Sequence, residues 1–238
     1  MSILLETKNL TAGYKGMVVI NKIDICLEKN EIVAIVGPNG SGKTTILRSL
    51  VGILDEYGGE IYEGNIFFKG KKINGKKPYE LLHLGIVFVP DSGRVFRSMS
   101  VFENLEMGGF IIREKKKLMR KIEEVLELFP ILKELLNRRA SNLSAGERQI
   151  LSLGKALVLE PEVLILDEPS AGLSPNYVKI LFEKLKEIKN KSGIIVVEQN
   201  AKIVLEYADR GYVIRNGEIK LEGKSKELLE KEDIFKLL

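Results

Sequence analysis

Two short stretches of this 238-residue chain carry residue types that act on phosphate when correctly spaced. Gly37-Pro38-Asn39-Gly40-Ser41-Gly42-Lys43-Thr44 fits the pattern G-x-x-x-x-G-K-[ST]. Glycines let such a loop wrap so that backbone N–H groups face phosphate oxygens, and a helix start behind it adds its dipole. Lys43 would reach the β- and γ-phosphates, Thr44 would ligate Mg²⁺, and Thr45 continues the binding run into the helix. A chance match in a glycine-rich turn is the competing reading, and the predicted strand before and helix after the loop weigh against it. Downstream, Val163-Leu164-Ile165-Leu166-Asp167-Glu168 delivers two carboxylates to a strand end. Asp167 would hold Mg²⁺ through its water shell, while Glu168 would accept a proton from, or orient, an attacking water. Alone, this segment also reads as a strand closed by a capped Asp-Glu-Pro turn; beside a phosphate loop that plainer reading loses force.

These residues need a scaffold, and the hydrophobic pattern supplies one. Residues 31–36 read as a strand, apolar from Ile32 to Val36 and running into the loop, as expected of a central parallel strand buried on both sides, with a helix over 43–51. Residues 4–10, 61–69 and 86–89 read as further strands, with a short helix over 78–84. Residues 23–28 alternate, placing Ile23, Ile25 and Leu27 on one face of a half-buried antiparallel edge, where Cys26 is expected as a small inward-facing apolar residue. From 100 to about 159 the spacing becomes helical, with Ile122, Val125, Leu126, Leu128 and Phe129 in one stripe and Lys115, Lys116 and Lys117 on a wet face. Strand and helix then alternate over 163–166, 176–191, 194–197 and 201–208. Residues 212–215 and 218–222 flank Asn216-Gly217, a type I′ hairpin signal, and a closing helix starts at Ser225. The pattern predicts an α/β fold with a mostly parallel sheet and helices on both faces.

Composition excludes several functions. With 45% apolar and 29% charged residues and 7 Pro, the chain folds rather than remaining disordered. The 37 Lys+Arg against 33 Asp+Glu give a mild, evenly spread +4, which argues against nucleic acid as a partner. One cysteine and one histidine leave no internal disulfide and no Cys- or His-based metal cluster. His83 lies outside every motif and reads as a surface or packing residue. No apolar run approaches the roughly 18 residues of a spanning helix, and the first residues do not resemble a secretory signal, so a cytoplasmic location is expected.

The order of these motifs resembles the ATP-binding subunits of ABC transporters over nearly the whole chain. Leu143-Ser144-Ala145-Gly146-Glu147 is similar to that family's Leu-Ser-Gly-Gly-Gln signature. Read alone, Ser144 with Glu147 is a capping box, and a capped helix start is also an anion site. The resemblance implies a P-loop NTPase fold of RecA type, with an N-terminal antiparallel β subdomain and an inserted helical lobe. The nucleotide-binding core would comprise residues 1–91 and 160–238, and the lobe 92–159. It further implies a head-to-tail dimer with two ATP and Mg²⁺ sandwiched between subunits, Ser144 and Gly146 completing the γ-phosphate shell of the partner's site. Tyr14, in Gly13-Tyr14-Lys15, matches an adenine-stacking position and otherwise reads as a loop tyrosine. Asp91, after Phe88-Val89-Pro90, stands where the family's Q-loop glutamine contacts Mg²⁺ and water. Ser170-Ala171-Gly172-Leu173-Ser174 matches the D-loop that crosses the dimer. Gln199 occupies the switch position, usually histidine.

Asp91, Ala145 and Gln199 depart from the general family pattern. Asp91 is shorter than glutamine and anionic, Ala145 restricts the backbone where glycine is usual, and Gln199 cannot carry a positive charge. Lower or differently gated turnover is the expectation they raise. Asp91-Ser92-Gly93-Arg94-Val95-Phe96, Ser100-Val101-Phe102-Glu103-Asn104-Leu105 and Glu198-Gln199-Asn200-Ala201 resemble the ATPases of branched-chain amino-acid importers of the LivF type, a branch that commonly has an acidic Q-loop residue and a glutamine switch. Urea and amide importer ATPases share many of these features. The resemblance implies that the chain lies at the inner face of the cell membrane, energising a separate permease that works with an external solute-binding protein, and pairing with an identical or a related ATPase subunit. Phe96 and Met99 would then face the permease, or alternatively pack within the helical lobe. An ATP-gated clamp with little hydrolysis and a soluble ABC ATPase are the rival readings; Glu168 argues against the first, and the lack of room for a coiled-coil insertion against a DNA-acting form of the second.

Overall fold

A computed structural model describes residues 2–91 and 94–231. In chain order it contains β1 (Ile3–Tyr14), β2 (Met17–Ile23), β3 (Cys26–Glu28), β4 (Ile32–Val36), α1 (Lys43–Leu50), β5 (Gly59–Phe68), β6 (Lys71–Lys72), α2 (Pro78–His83) and β7 (Ile86–Val89). There follow α3 (Val101–Gly108), α4 (Lys115–Leu128), α5 (Pro130–Glu134), α6 (Ala145–Leu157), β8 (Val163–Asp167), α7 (Pro175–Ile188), β9 (Gly193–Glu198), α8 (Ala201–Tyr207), β10 (Arg210–Arg215), β11 (Glu218–Lys224) and α9 (Ser225–Leu229). The part of the expected closing helix beyond residue 231 lies outside the described residues.

The larger sheet has the order β11-β10-β4-β9-β8-β7 and is parallel except where β11 joins β10. Every residue of β4 is buried, as its unbroken apolar run requires of a strand covered on both faces. Ile32, Ala34 and Val36 face a core shared with α3 to α8, whereas Val33 and Ile35 face Ile46, Leu47 and Leu50 of α1 together with Leu5, Leu10 and Ile20 of the smaller sheet. Helices alone therefore do not cover both faces. On one side an antiparallel sheet, with β2-β1-β5-β6 in order and β3 also on β1, completes the layer.

Residues 23–28 are not one strand. The Thr7 hydroxyl donates to the Ile23 carbonyl and accepts from the Ile25 amide, both at 2.8 Å, and so replaces backbone pairing at the break between β2 and β3. Ile23, Ile25 and Leu27 nevertheless all reach the core. Cys26, lying between two inward residues, is half-buried on the opposite side, contrary to the inward placement expected for it; partial burial pushes its thiol pKa up. The strand β2, apolar at five of its seven positions, buries only Ile20 and Ile23 and leaves Met17 and Val18 exposed, so its apolar run does not mark an inward face. The stripe on α4 packs as expected, with Leu128 only half-buried. At the β10–β11 turn Asn216 and Gly217 both have positive φ (53° and 74°), the type I′ geometry.

One polar network joins the two sheets. Arg210 at the start of β10 grips both oxygens of Glu31, donates to the Cys26 carbonyl at 2.6 Å and to the Tyr212 hydroxyl at 3.2 Å; that hydroxyl accepts from the Cys26 amide. Glu31 is buried, so removal of the guanidinium leaves a carboxylate without its counter-charge. Arg210→Ala is expected to lower unfolding free energy by about 3 kcal/mol in urea titration, and Arg210→Lys by less, since one ammonium cannot reproduce the two-pronged grip. Unchanged midpoints would mean that the network does not hold the sheets together.

Candidate functional site

The parallel register brings the chemistry to one edge. Val36 pairs with Glu198 and Asp167 with Val197, so the loops after β4, β8 and β9 leave the sheet side by side. Ligands in such sheets bind beyond the carboxyl ends of the strands.

Residues 37–42 link β4 to α1. A Cβ on Gly37 would lie 2.2 Å from the Ile214 carbonyl oxygen, and Gly42 has φ 106° with Ile20 packed against it, so neither position has room for a side chain. Asn39 and Gly40 are exposed and Pro38 is half-buried. The β10–β11 turn braces the loop: the Gly217 amide donates to the Ser41 carbonyl at 2.9 Å, and the Gly217 carbonyl accepts from Asn21. The helix start has a glycine N-cap, no side-chain cap and no acidic residue in its first turn, leaving its amides and positive dipole end for an anion. The Ser41 hydroxyl is buried without a hydrogen-bond partner, an orphaned donor in a loop of phosphate-binding pattern. Lys43 is buried; its ammonium donates to the carbonyls of Gly37 (2.7 Å) and Pro38 (3.1 Å). Burial lowers its pKa, opposed by the charges of Glu168, Asp167 and Glu198. Thr44 is exposed and Thr45 buried.

Asp167 ends β8 with its carboxyl pushed up to about 6, by burial first and then by the like charges of Asp91 and Glu168, against the pull of Lys43 and Arg48. Glu168 sits at φ 40°, a region few side chains adopt, fixed by its amide donating to the Val197 carbonyl at 2.8 Å. Asp91 is exposed beyond β7, and Gln199 is exposed after β9. Among the described residues no three His, Cys, Asp or Glu side chains cluster to cage a metal. This donor set suits Mg²⁺, which keeps several waters and takes one or two carboxylates plus phosphate oxygens.

Ser144 and Gly146 lie elsewhere in the fold, at the start of α6. Ser144 caps it in the expected capping box, its hydroxyl accepting from Glu147 and its amide donating to the Glu147 carboxylate. Gly146 is buried, and a Cβ there would sit 2.4 Å from the Tyr177 ring, so its smallness also serves packing against α7. Tyr14 is half-buried; its hydroxyl accepts from Arg48 at 3.1 Å, and Arg48 stacks on the Tyr57 ring at 3.6 Å. Phe96 is exposed beneath the Lys155 ammonium, while Met99 is half-buried. Ser92 and Gly93 of the same motif are outside the described residues. His83 is bonded to the Tyr79 carbonyl, away from this edge.

Three contributors escaped sequence reasoning. Arg48 reads as an ordinary helix cation until its bond to Tyr14 is seen. Asn104, fully buried, holds the amide and carbonyl of Phe96 and the carbonyl of Ser100. Glu198 is buried between two loops. For Glu198 the available signal was a carboxylate closing an apolar run; Asn104, beside Glu103 in a mixed helix, offered none.

The sequence profile of the family described as "ABC transporter" matches residues 20–171. The chain belongs to that family. Its members hydrolyse ATP, and this chain is an ATPase with a P-loop NTPase fold. It is 37% identical over 236 residues, 98% of each chain, to a probable branched-chain amino acid transport ATP-binding protein LivF of Archaeoglobus fulgidus. It is 36% identical, covering 95% of each chain, to the high-affinity branched-chain amino acid transport ATP-binding protein BraG of Pseudomonas aeruginosa. The ADP conformation of an ATP-binding cassette of an ABC transporter superposes with a TM-score of 0.89 at 30% identity, over 100% of this chain and 98% of that one. No helix among the described residues is long and apolar enough to cross a membrane.

The burial and crowding of Asp167 have a thermodynamic signature. An unfolded aspartate titrates near 3.8 and the folded one near 6, so between those values the folded protein holds more protons and loses stability as pH rises. In metal-free buffer at pH 8, Asp167→Asn is expected to be more stable than wild type by about 1–2 kcal/mol, with the gap closing toward pH 4. Thermal unfolding at both pH values measures this; equal stability at pH 8 would mean that burial and like charge do not penalise the Asp167 carboxylate.

Proposed function

We propose that the chain is the ATP-hydrolysing subunit of an importer for branched-chain amino acids, working at the inner face of the membrane through a separate permease and paired head-to-tail with a second ATPase subunit. The observation that carries this reading is the convergence of Lys43, Asp167, Glu168 and Gln199 at one sheet edge, in a chain aligned nearly end to end with branched-chain amino acid transport proteins. The open groove beside β7, lined by Val89, Pro90, Arg94, Gly108 and Lys155 and flanked by exposed Phe96, supports a permease contact on that face.

In this mechanism residues 37–42, the α1 amides and Lys43 bind the triphosphate, and Tyr14 lies against the base. Nucleotide entry breaks the bonds from Lys43 to the Gly37 and Pro38 carbonyls and replaces them with phosphate oxygens. Thr44, Asp167 and Asp91 would hold Mg²⁺, which when bound would offset phosphate charge. Glu168, set by its strained backbone, polarises the attacking water, and Gln199 hydrogen-bonds the γ-phosphate region without adding charge. Ser144 and Gly146 of α6 complete the γ-phosphate shell of the opposite subunit. ATP thereby joins the two subunits, and hydrolysis releases them, which drives the permease.

Phosphate release from MgATP is expected to rise in specific activity with protein concentration, and Glu168→Gln is expected to cut kcat by about 10²-fold or more while still binding ATP. Equal turnover by the two proteins would refute Glu168 as the group acting on water.

A further inference from the structure

The last residue of β9 is an expensive choice. Glu198 follows Ile194, Ile195, Val196 and Val197, all buried, and is itself only 3% exposed. Burial raises its pKa, as does the charge of Glu168. No ion pair among those of the described residues includes it, and the cation whose charge it meets, Lys43, is itself buried. A valine would continue the strand's pattern without the desolvation cost of a carboxylate.

Its two oxygens do different things. Oε1 accepts from the Ser170 amide at 2.9 Å, and Oε2 accepts from the Gln199 amide at 3.2 Å. Ser170 is two residues beyond Glu168, on the loop after β8, while Gln199 opens the loop after β9. One buried carboxylate thus spans both loops. The Glu168 amide meanwhile donates to the Val197 carbonyl, one residue before Glu198, so the two loops are bonded twice within three residues of each chain segment.

We propose that Glu198 is a positioning residue for hydrolysis, fastening the loop over 170–174 to the backbone of Gln199 so that Glu168 and Gln199 are held in one frame. This rests on the assignment of those two residues to the hydrolytic step. A displacement of the 170–174 loop, wherever it originates, is transmitted through the carboxylate to Gln199. The amide of Glu198→Gln keeps a carbonyl oxygen for Ser170 but turns an NH₂ donor toward the Gln199 amide, so it preserves one of the two bonds. Glu198→Ala preserves neither.

The test combines turnover with amide hydrogen exchange of the full chain, the latter needing no hydrolysis. In Glu198→Ala, kcat is expected to fall about tenfold with the ATP dissociation constant changed less than about twofold, and Glu198→Gln to lie between it and wild type. Exchange at Ser170 and Gln199 is expected to accelerate about tenfold or more in the alanine variant, while Ile194, Ile195 and Val196 keep their protection. Unchanged exchange at Ser170 overturns the tie, and equal loss of protection along all of β9 reduces Glu198 to a packing role. Accelerated exchange with unaltered kcat overturns its part in hydrolysis. A wild-type-like kcat in Glu168→Gln, by contrast, fails the assignment of Glu168 while the exchange result still reports on the tie.

Discussion

The parallel register of β4, β8 and β9 is the constraint from which the rest follows. Val36 beside Glu198 and Val197 beside Asp167 force the phosphate loop, the carboxylate pair and Gln199 to leave the sheet at one level. A slip of one residue in any of these strands would turn its side chains to the opposite face. The slip is prevented because each face of β4 meets a different core, one built by helices and the other by α1 with the antiparallel sheet. Packing specificity far from the edge therefore sets distances at the edge.

Electrostatics and backbone strain at that edge oppose stability. Burial works against the charge of Lys43 and against ionisation of Asp167 and Glu198, and Glu168 occupies an unfavourable backbone region. These costs are tolerated because neighbouring segments over-determine the geometry. Gly217 braces Ser41, the Val197 carbonyl holds the Glu168 amide, and Arg210 locks the smaller sheet to β10. The β10–β11 hairpin thus does more than reverse the chain; its tight I′ turn brings the Gly217 backbone against the phosphate loop, and a Cβ on Gly217 would lie 2.0 Å from the Val19 carbonyl oxygen.

Much of this was legible in the sequence because it is local. The apolar run into Gly37, the spacing to Lys43, the run into Asp167 and the Asn216-Gly217 turn are each decided within about ten residues by periodicity or turn chemistry. What was not legible depends on partners far along the chain. The break between Ile23 and Cys26 arises from Thr7, the placement of Tyr14 from Arg48, and the burial of Glu198 from an amide 28 residues away. The inward placement of Cys26 failed for a local reason: Ile25 and Leu27 on either side already take the core face. Gly146 belongs to a third kind, since its match to a signature position does not reveal that Tyr177 packs where a side chain would go.

The departures from the general family pattern change the charge balance in one direction. Asp91 supplies a carboxylate where glutamine is usual, and Gln199 supplies no cation where histidine is usual. Asp167, Glu168 and buried Glu198 then face Lys43, with Arg48 the second cation whose field reaches Asp167. A triphosphate brought alone into this surrounding would meet net repulsion beyond the loop's own amides and lysine. On the proposed reading Asp91 is useful rather than disruptive, because an extra carboxylate would favour the divalent cation that the phosphates also require. The same arithmetic explains a neutral switch residue. On that reading, with Asp91 drawing the cation, Gln199 need only donate a hydrogen bond, from a position fixed through its own amide.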